Sequence, residues 1–158
     1  MGALAAELGI DRTSLFRWVG NRDALLAEVL WSLAEASLDH AEQRGEGEGA
    51  RRVVDILGRF AEGLVTAPYF RGFLAREPQR ALRLMTTGES EIQRRYVAAV
   101  EELLTAHAPE AGRPALPRHD LAYLIVRISD TFSYADLIAG EEPSAERARA
   151  AFALVLGD

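Results

Sequence analysis

The stretch that most restricts the fold of this chain is Ala3–Leu30, where two short helical patterns precede a long one. Apolar residues recur at helical spacing on both sides of a turn that contains Gly9 and Asp11. Gly9 suits the left-handed residue that ends a helix, and Asp11 suits the N-cap of the next helix. A third pattern opens after Gly20, with Asn21 as its N-cap. This succession predicts a helix-turn-helix that leads into a long helix.

The second short helix carries side chains that suit a DNA duplex. Its apolar set is Leu15, Trp18 and Val19, which leaves the polar residues on other faces. A helix enters the major groove with its N-terminal turn nearest the bases, where Arg can bond guanine and Ser or Thr can bond a base or a phosphate. The predicted DNA-binding residues are Arg12, Thr13, Ser14, Phe16, Arg17, Trp18 and Arg22. For the same residues, a helical hairpin that packs on a bundle and contacts no DNA is the alternative.

These residues, in this order, resemble the DNA-binding half of TetR-family transcriptional regulators. The matching segments are Leu8-Gly9-Ile10, Ser14-Leu15-Phe16, Trp18-Val19, Asn21-Arg22-Asp23 and Ala24-Leu25-Leu26. The resemblance implies that the leading turn of Arg12, Thr13 and Ser14 contacts bases or the nearest phosphates. It implies backbone contacts for Phe16 and Trp18, and a phosphate contact for Arg22, where the family usually has Lys. Phe16 stands where the family usually has Tyr, so a hydroxyl donor is absent.

The resemblance also implies one more helix before Ala3, which this sequence does not contain. We therefore expect a DNA-binding part over residues 1–44 in which the first family helix is absent, followed by a ligand-binding and dimerisation domain over residues 45–158. The leading hypothesis is a DNA-binding transcriptional regulator whose operator affinity is controlled by a small, mostly apolar ligand. We expect this regulator to be a repressor. The alternative is a dimeric ligand-binding helical module that has lost DNA binding with its first helix.

The remainder of the chain predicts an all-α body. Glycine-rich and proline-rich breaks separate predicted helices at about 22–44, 50–66, 70–74, 78–85, 89–108, 120–139 and 144–156. The helix over 120–139 is apolar nearly all round, and the last helix is rich in Ala, so both should be covered on two sides. By the resemblance we expect a homodimer through these two helices. A monomer whose faces meet its own core is the alternative.

A ligand cavity is expected between the helices at 50–66, 89–108 and 120–139. The candidate wall residues are Phe60, Leu64, Phe73, Tyr96, Val100, Ile128, Ser129 and Phe132. Core packing is the alternative interpretation of each of them. The segments 17–23, 73–78 and 80–87 also resemble a branch of the family that includes a lactone-responsive repressor of quorum-signal degradation.

Charge and composition restrict the classes of function that the chain can have. The net charge is −6, and the three Arg, one Glu and one Asp of residues 1–22 give +1, which leaves −7 for the rest. A DNA contact must therefore be local, made by a few Arg on an acidic molecule. The chain has no Cys, its three His are far apart, and no pattern of catalytic or metal-binding residues is present, so we expect no enzyme, metal or cofactor. The absence of a signal peptide or long apolar run predicts no membrane partner and a cytoplasmic location.

Overall fold

The computed structural model of the chain describes residues 2–109 and 116–157, except for the side chains of Arg12 and Val19. The helices over these two ranges are α1 (Gly2–Glu7), α2 (Arg12–Val19), α3 (Arg22–Arg44), α4 (Gly49–Thr66), α5 (Pro68–Arg76), α6 (Pro78–Thr86), α7 (Ile92–His107), α8 (Arg118–Ser133), α9 (Ala135–Ile138) and α10 (Ala145–Leu156). No strand occurs within them. The predicted all-α fold is confirmed.

The first three helices begin and end where the sequence predicts. Gly9 has a φ of +63°, which is the left-handed conformation expected of the residue after a helix. Asp11 caps α2 because its Oδ2 accepts from the Ser14 amide at 3.0 Å. Asn21 caps α3 in the same way, accepting from the Ala24 amide at 2.9 Å. These local features fix the turn between α1 and α2 and the turn between α2 and α3.

Two apolar clusters hold the body together. The first joins the C-terminal half of α3 to α4, α7, α8 and α10, and its fully buried members include Ile56, Leu57, Val100, Ile125 and Phe152. The second joins the N-terminal half of α3 to α5, α6, the start of α7 and the end of α8; its buried residues are Ala27, Leu30, Phe70, Leu74, Ala81, Met85, Ile92 and Tyr134. The second cluster thus packs α5 and α6 against the part of α3 that directly follows the helix-turn-helix.

The helix predicted over 120–139 is wrong as a single element, because it breaks at Tyr134. In a continuous helix the Ser133 carbonyl would accept from the Leu137 amide, but that amide donates to the Tyr134 carbonyl instead. The Ser133 carbonyl accepts from Arg71 Nη1 at 3.2 Å. Tyr134 is buried and its ring lies 6.2 Å from the ring of Phe70. Packing against α5 therefore ends α8 before the short helix α9.

Candidate DNA interface and ligand cavity

The second helix of the chain presents three of its six predicted DNA-binding residues to solvent. Leu15 is 4% exposed and anchors α2, whereas Thr13 and Arg17 are exposed. Trp18 is 65% exposed, so it does not join Leu15 in an apolar face as its spacing suggested. An exposed Trp beside an exposed Arg suits contact with a sugar-phosphate backbone.

Two of the predicted residues, Ser14 and Phe16, differ from this pattern. Ser14 is half-buried, and its backbone amide is engaged by the Asp11 cap. Phe16 is also half-buried, so only part of its ring faces outward. The side chain of Arg12 lies outside the described part of the chain, although its backbone opens α2. The backbone of the leading turn of α2 is thus defined.

Arg22, the predicted phosphate contact at the start of α3, is held by an acidic residue of the body. Its Nη2 lies 2.8 Å from Glu77 Oε1, and the side chain remains 57% exposed. Glu77 is the residue between α5 and α6, and Arg80 of α6 also contacts its carboxylate. On α3, Asp23 pairs with Arg80 at 3.0 Å and with Arg83 at 2.6 Å. These ion pairs join the head to the α5–α6 corner.

The predicted ligand-binding residues of α4, α7 and α8 come together, but they contact one another. The rings of Phe60 and Tyr96 lie 5.2 Å apart, and the Tyr96 hydroxyl donates to Ser129 Oγ at 3.1 Å. Val100 is fully buried beside them in the first cluster. Burial raises the pKa of the Tyr96 phenol, so this hydroxyl stays protonated as a donor. In this conformation the four residues form a packed core with an internal hydrogen bond.

The remaining predicted wall residues lie at the edges of the clusters. Leu64 packs against both clusters, and Phe73 packs against the second. Ile128 and Phe132 are half-buried on α8, where the guanidinium carbon of Arg147 lies 4.9 Å from the centre of the Phe132 ring. The structure therefore does not bring all eight predicted residues around one space.

An apolar cavity of about 30 Å³ lies instead between α3, α4, α5 and α6. The residues that line it are Leu30, Leu33, Ala34, Ser37, Gly63, Leu64, Ala67, Tyr69, Phe70 and Met85. Of the predicted set, it includes Leu64. Such a volume suffices for a water molecule, whereas small-molecule pockets measure roughly 300–1,000 Å³. A ligand would have to move the surrounding helices apart.

A buried carboxylate ties α8 to the end of α6. Asp130 is 3% exposed, and its Oδ2 accepts from Gln93 Nε2 at 2.9 Å and from Arg127 Nη1 at 3.1 Å. Gln93 and Arg127 also donate to the carbonyls of Met85 and Thr86, in the last turn of α6. Burial raises the pKa of Asp130 to about 7, while the charge of Arg127 and the Gln93 hydrogen bond act in the opposite direction. Arg127 and Asp130, three residues apart on α8, form an ion pair.

Comparisons with known proteins agree with this architecture. Residues 48–157 match the family described as "Tetracyclin repressor-like, C-terminal domain". A solved structure, the R. erythropolis transcriptional repressor QsdR from the TetR family, is 33% identical and superimposes with a TM-score of 0.86. The match covers 99% of this chain and 83% of that one. The chain belongs to the TetR family. No curated protein matches it significantly.

Membership of the TetR family makes the chain a transcriptional regulator. Within residues 2–109 and 116–157, no group of three or more His, Cys, Asp or Glu is arranged to hold a metal ion. His107 lies 2.8 Å from Glu42 in a part-buried pair, and His119 lies 3.3 Å from Glu101 in an exposed pair. No helix of the described part is both long and apolar enough to cross a membrane.

The residues that sequence reasoning missed in this TetR-family regulator are those whose roles depend on distant partners. Glu77 and Arg80 precede and open a short helix, and their sequence context gives no sign that Arg22 and Asp23 lie beside them. The cavity residues Ser37 and Gly63 were missed for the same reason. A weak signal existed at Gly63, since a glycine inside a helix indicates close packing. A Cβ there would lie 3.2 Å from Ser37 Oγ.

Proposed function

We propose that this TetR-family regulator binds operator DNA through α2 and the start of α3, and that a small, mostly apolar ligand controls that binding. The observation that carries the proposal is the arrangement of the head. Leu15 anchors α2 from within, while Thr13, Arg17 and Trp18 face solvent beside Arg22 at the start of the next helix. Groove-reading donors and a phosphate-binding cation thus lie next to each other.

The charge distribution supports a positional contact with DNA. Residues 1–22 carry a net charge of +1 within a chain of −6. An acidic body repels the duplex, so the head must be presented at one end and in a fixed orientation. The start of α3 helps, because a helix N-terminus attracts a phosphate group and Arg22 adds a full charge there.

A homodimer would present two such heads. The helices α8 and α10 leave large apolar side chains exposed, with Leu154 at 83%, Tyr123 at 52% and Leu124 at 38%. Exposed apolar groups on two neighbouring helices favour a partner surface. Pairing with the same surface of a second copy gives a two-fold axis, and two recognition helices related by that axis reach successive turns of one DNA face when they lie about 34 Å apart.

Ligand control follows from the cavity between α3 and α6. Its walls are mostly apolar, with the hydroxyls of Ser37 and Tyr69 available to orient a polar group. A ligand too large for the present 30 Å³ must displace α5 or α6, and both helices pack on the N-terminal half of α3. Occupancy then favours a different position of the head and lowers DNA affinity by the ligand's differential binding. The repressor role is proposed from likeness to QsdR, which is described as a transcriptional repressor.

Duplex selection from a random library, followed by fluorescence anisotropy at several salt concentrations, tests the DNA contacts. Arg22→Ala should weaken binding to every duplex and reduce the salt slope by about 0.9, since one phosphate contact is lost. Arg17→Ala and Thr13→Ala should change base preference at single positions, by about 1–3 kcal/mol for each lost base contact. Arg44→Ala, at the far end of α3, is the matched control and should have little effect. Equal losses on all duplexes for every head variant would contradict the assigned roles.

A thermal-shift screen of small lactones and other apolar metabolites tests the ligand site. A ligand should raise the melting temperature and release the selected duplex. Ala34→Leu, which fills the cavity wall, should abolish both effects. Ala36→Leu makes the same change on the exposed side of α3 and should leave both intact. A response that Ala34→Leu leaves intact would place the site elsewhere.

A further inference from the structure

The arginine proposed to bind a DNA phosphate is already engaged by a carboxylate of its own chain. Arg22 donates to Glu77 across 2.8 Å, from the first residue of α3 to the corner between α5 and α6. We propose that Glu77 is an internal competitor of DNA phosphate for Arg22, and that the position of α6 sets the strength of this competition. The inference rests on the DNA contact proposed above and adds a positioning residue outside the head.

The charges around Arg22 balance without DNA. Three arginines and three carboxylates form one connected group of ion pairs; they are Arg22, Arg80, Arg83, Asp23, Glu77 and Glu89. A phosphate that approaches Arg22 adds negative charge to a group that is already neutral. Its favourable contact therefore requires the separation of Arg22 from Glu77.

The arrangement also makes that separation feasible. Glu77 keeps a second partner, since Arg80 contacts the same carboxylate. The Arg22 side chain is 57% exposed and Glu77 is 28% exposed, so water reaches both groups when they part. An ion pair of this exposure contributes little to stability and exchanges readily. Glu77 thus weakens the phosphate contact without abolishing it.

The helix that follows Glu77 connects this contact to the cavity. The nine residues of α6 span about 13 Å and place Met85, which lines the cavity, at the opposite end from the corner. The last turn of α6 is held through the Met85 and Thr86 carbonyls by Gln93 and Arg127. Displacement of α6 at the cavity therefore changes the separation of Glu77 from Arg22.

A cycle of four proteins tests the inference on the duplex that the wild-type chain selects from a random library. Glu77→Gln keeps the side-chain shape, and Glu77 makes no capping hydrogen bond to α6, so the fold should be preserved and an unchanged melting temperature should show it. Its affinity for the duplex should rise about two- to fivefold, as expected for a partly exposed ion pair. In the Arg22→Ala background the same substitution should produce no gain.

Glu89→Gln is the matched control, because Glu89 belongs to the same group of ion pairs but contacts Arg83 rather than Arg22. An equal gain from Glu89→Gln, or a gain from Glu77→Gln that persists without Arg22, would mean that removal of negative charge acts through the general field, and would overturn the inference. If Glu77→Gln binds the duplex with the same affinity as the wild-type chain, the inference is overturned as well. The proposed DNA binding would then still stand. If no variant binds any duplex, the proposed function fails and the inference falls with it.

Discussion

Replacement of Asp130 by Asn should remove a large part of the pH dependence of folding between pH 5 and pH 8. Asp130 is buried, and burial raises its pKa from the ordinary value of 3.8 to about 7, against the opposing charge of Arg127 and the Gln93 hydrogen bond. The folded chain then binds a proton at this site that the unfolded chain has released. The contribution of Asp130 to the free energy of unfolding is therefore most favourable below pH 3.8, and it falls as the pH rises towards 7.

The size of the effect follows from the two pKa values. At pH 5 the unfolded carboxylate is already ionised and the folded one is protonated, which costs about 2 kcal/mol. At pH 8 the cost approaches its limit of about 4 kcal/mol. The wild-type chain should thus lose about 2–3 kcal/mol between pH 5 and pH 8 that Asp130→Asn does not lose. For a chain of this size that difference corresponds to about 5–10 °C in melting temperature.

The assay is urea denaturation of both proteins at several pH values and one protein concentration, because the proposed dimerisation would make stability depend on concentration. The quantity compared is the difference between wild type and variant as a function of pH, which cancels contributions from other groups. Asp39→Asn removes the same charge from an exposed site of α3 and should leave the wild-type profile unchanged. Parallel profiles for wild type and Asp130→Asn would show that Arg127 and Gln93 outweigh burial and keep the carboxylate ionised.

Two further predictions concern packing and assembly. Gly45→Ala should destabilise the fold by about 1–3 kcal/mol, because the new Cβ would lie 2.5 Å from Cγ1 of the fully buried Ile56; Gly88→Ala, which meets no atom within 4 Å, should stay within about 0.5 kcal/mol in the same urea titration. Wild type should sediment at twice the chain mass at micromolar concentration, and Leu154→Glu should sediment as a monomer. Leu8→Glu, at an exposed leucine just after α1, should remain dimeric, and a monomeric wild type would refute the proposed pairing.

The parts of the fold that the sequence predicts are those decided by neighbouring residues. Asp11 and Asn21 cap their helices through amides three residues away, and a short side chain at such a position suffices to predict the bond. A glycine inside a helix indicates close packing. Gly58 of α4 is such a glycine, and a Cβ there would lie 2.5 Å from Cζ of Arg149. Helix periodicity together with glycine and proline breaks therefore yields most element boundaries.

The parts that sequence reasoning missed depend on residues far apart in the chain. The break at Tyr134 requires Arg71, which is 62 residues from the carbonyl that it binds. The contact between Arg22 and Glu77 spans 55 residues, and neither residue has a local pattern that points to the other. For the ligand site, periodicity identified buried faces of α4, α7 and α8 but not the sub-ångström gaps that decide whether a space remains between them. Cavities of this kind follow from packing detail, not from pattern.

Apolar burial and exposed ion pairs differ in strength. This difference accounts for a molecule that is stable and that, as proposed, responds to a ligand. Burial of one large apolar side chain contributes about 1.5–3 kcal/mol, so the two clusters fix the fold of the body. Ala5 and Leu15, which are the buried residues among the described side chains of α1 and α2, belong to neither cluster. The described ion pairs of the α5–α6 corner with Arg22 and Asp23 are partly exposed and contribute about 0–1 kcal/mol each. A tenfold change in the proposed DNA affinity needs only about 1.4 kcal/mol across both heads of the proposed dimer, which rearrangement of these pairs can supply while the first cluster stays intact.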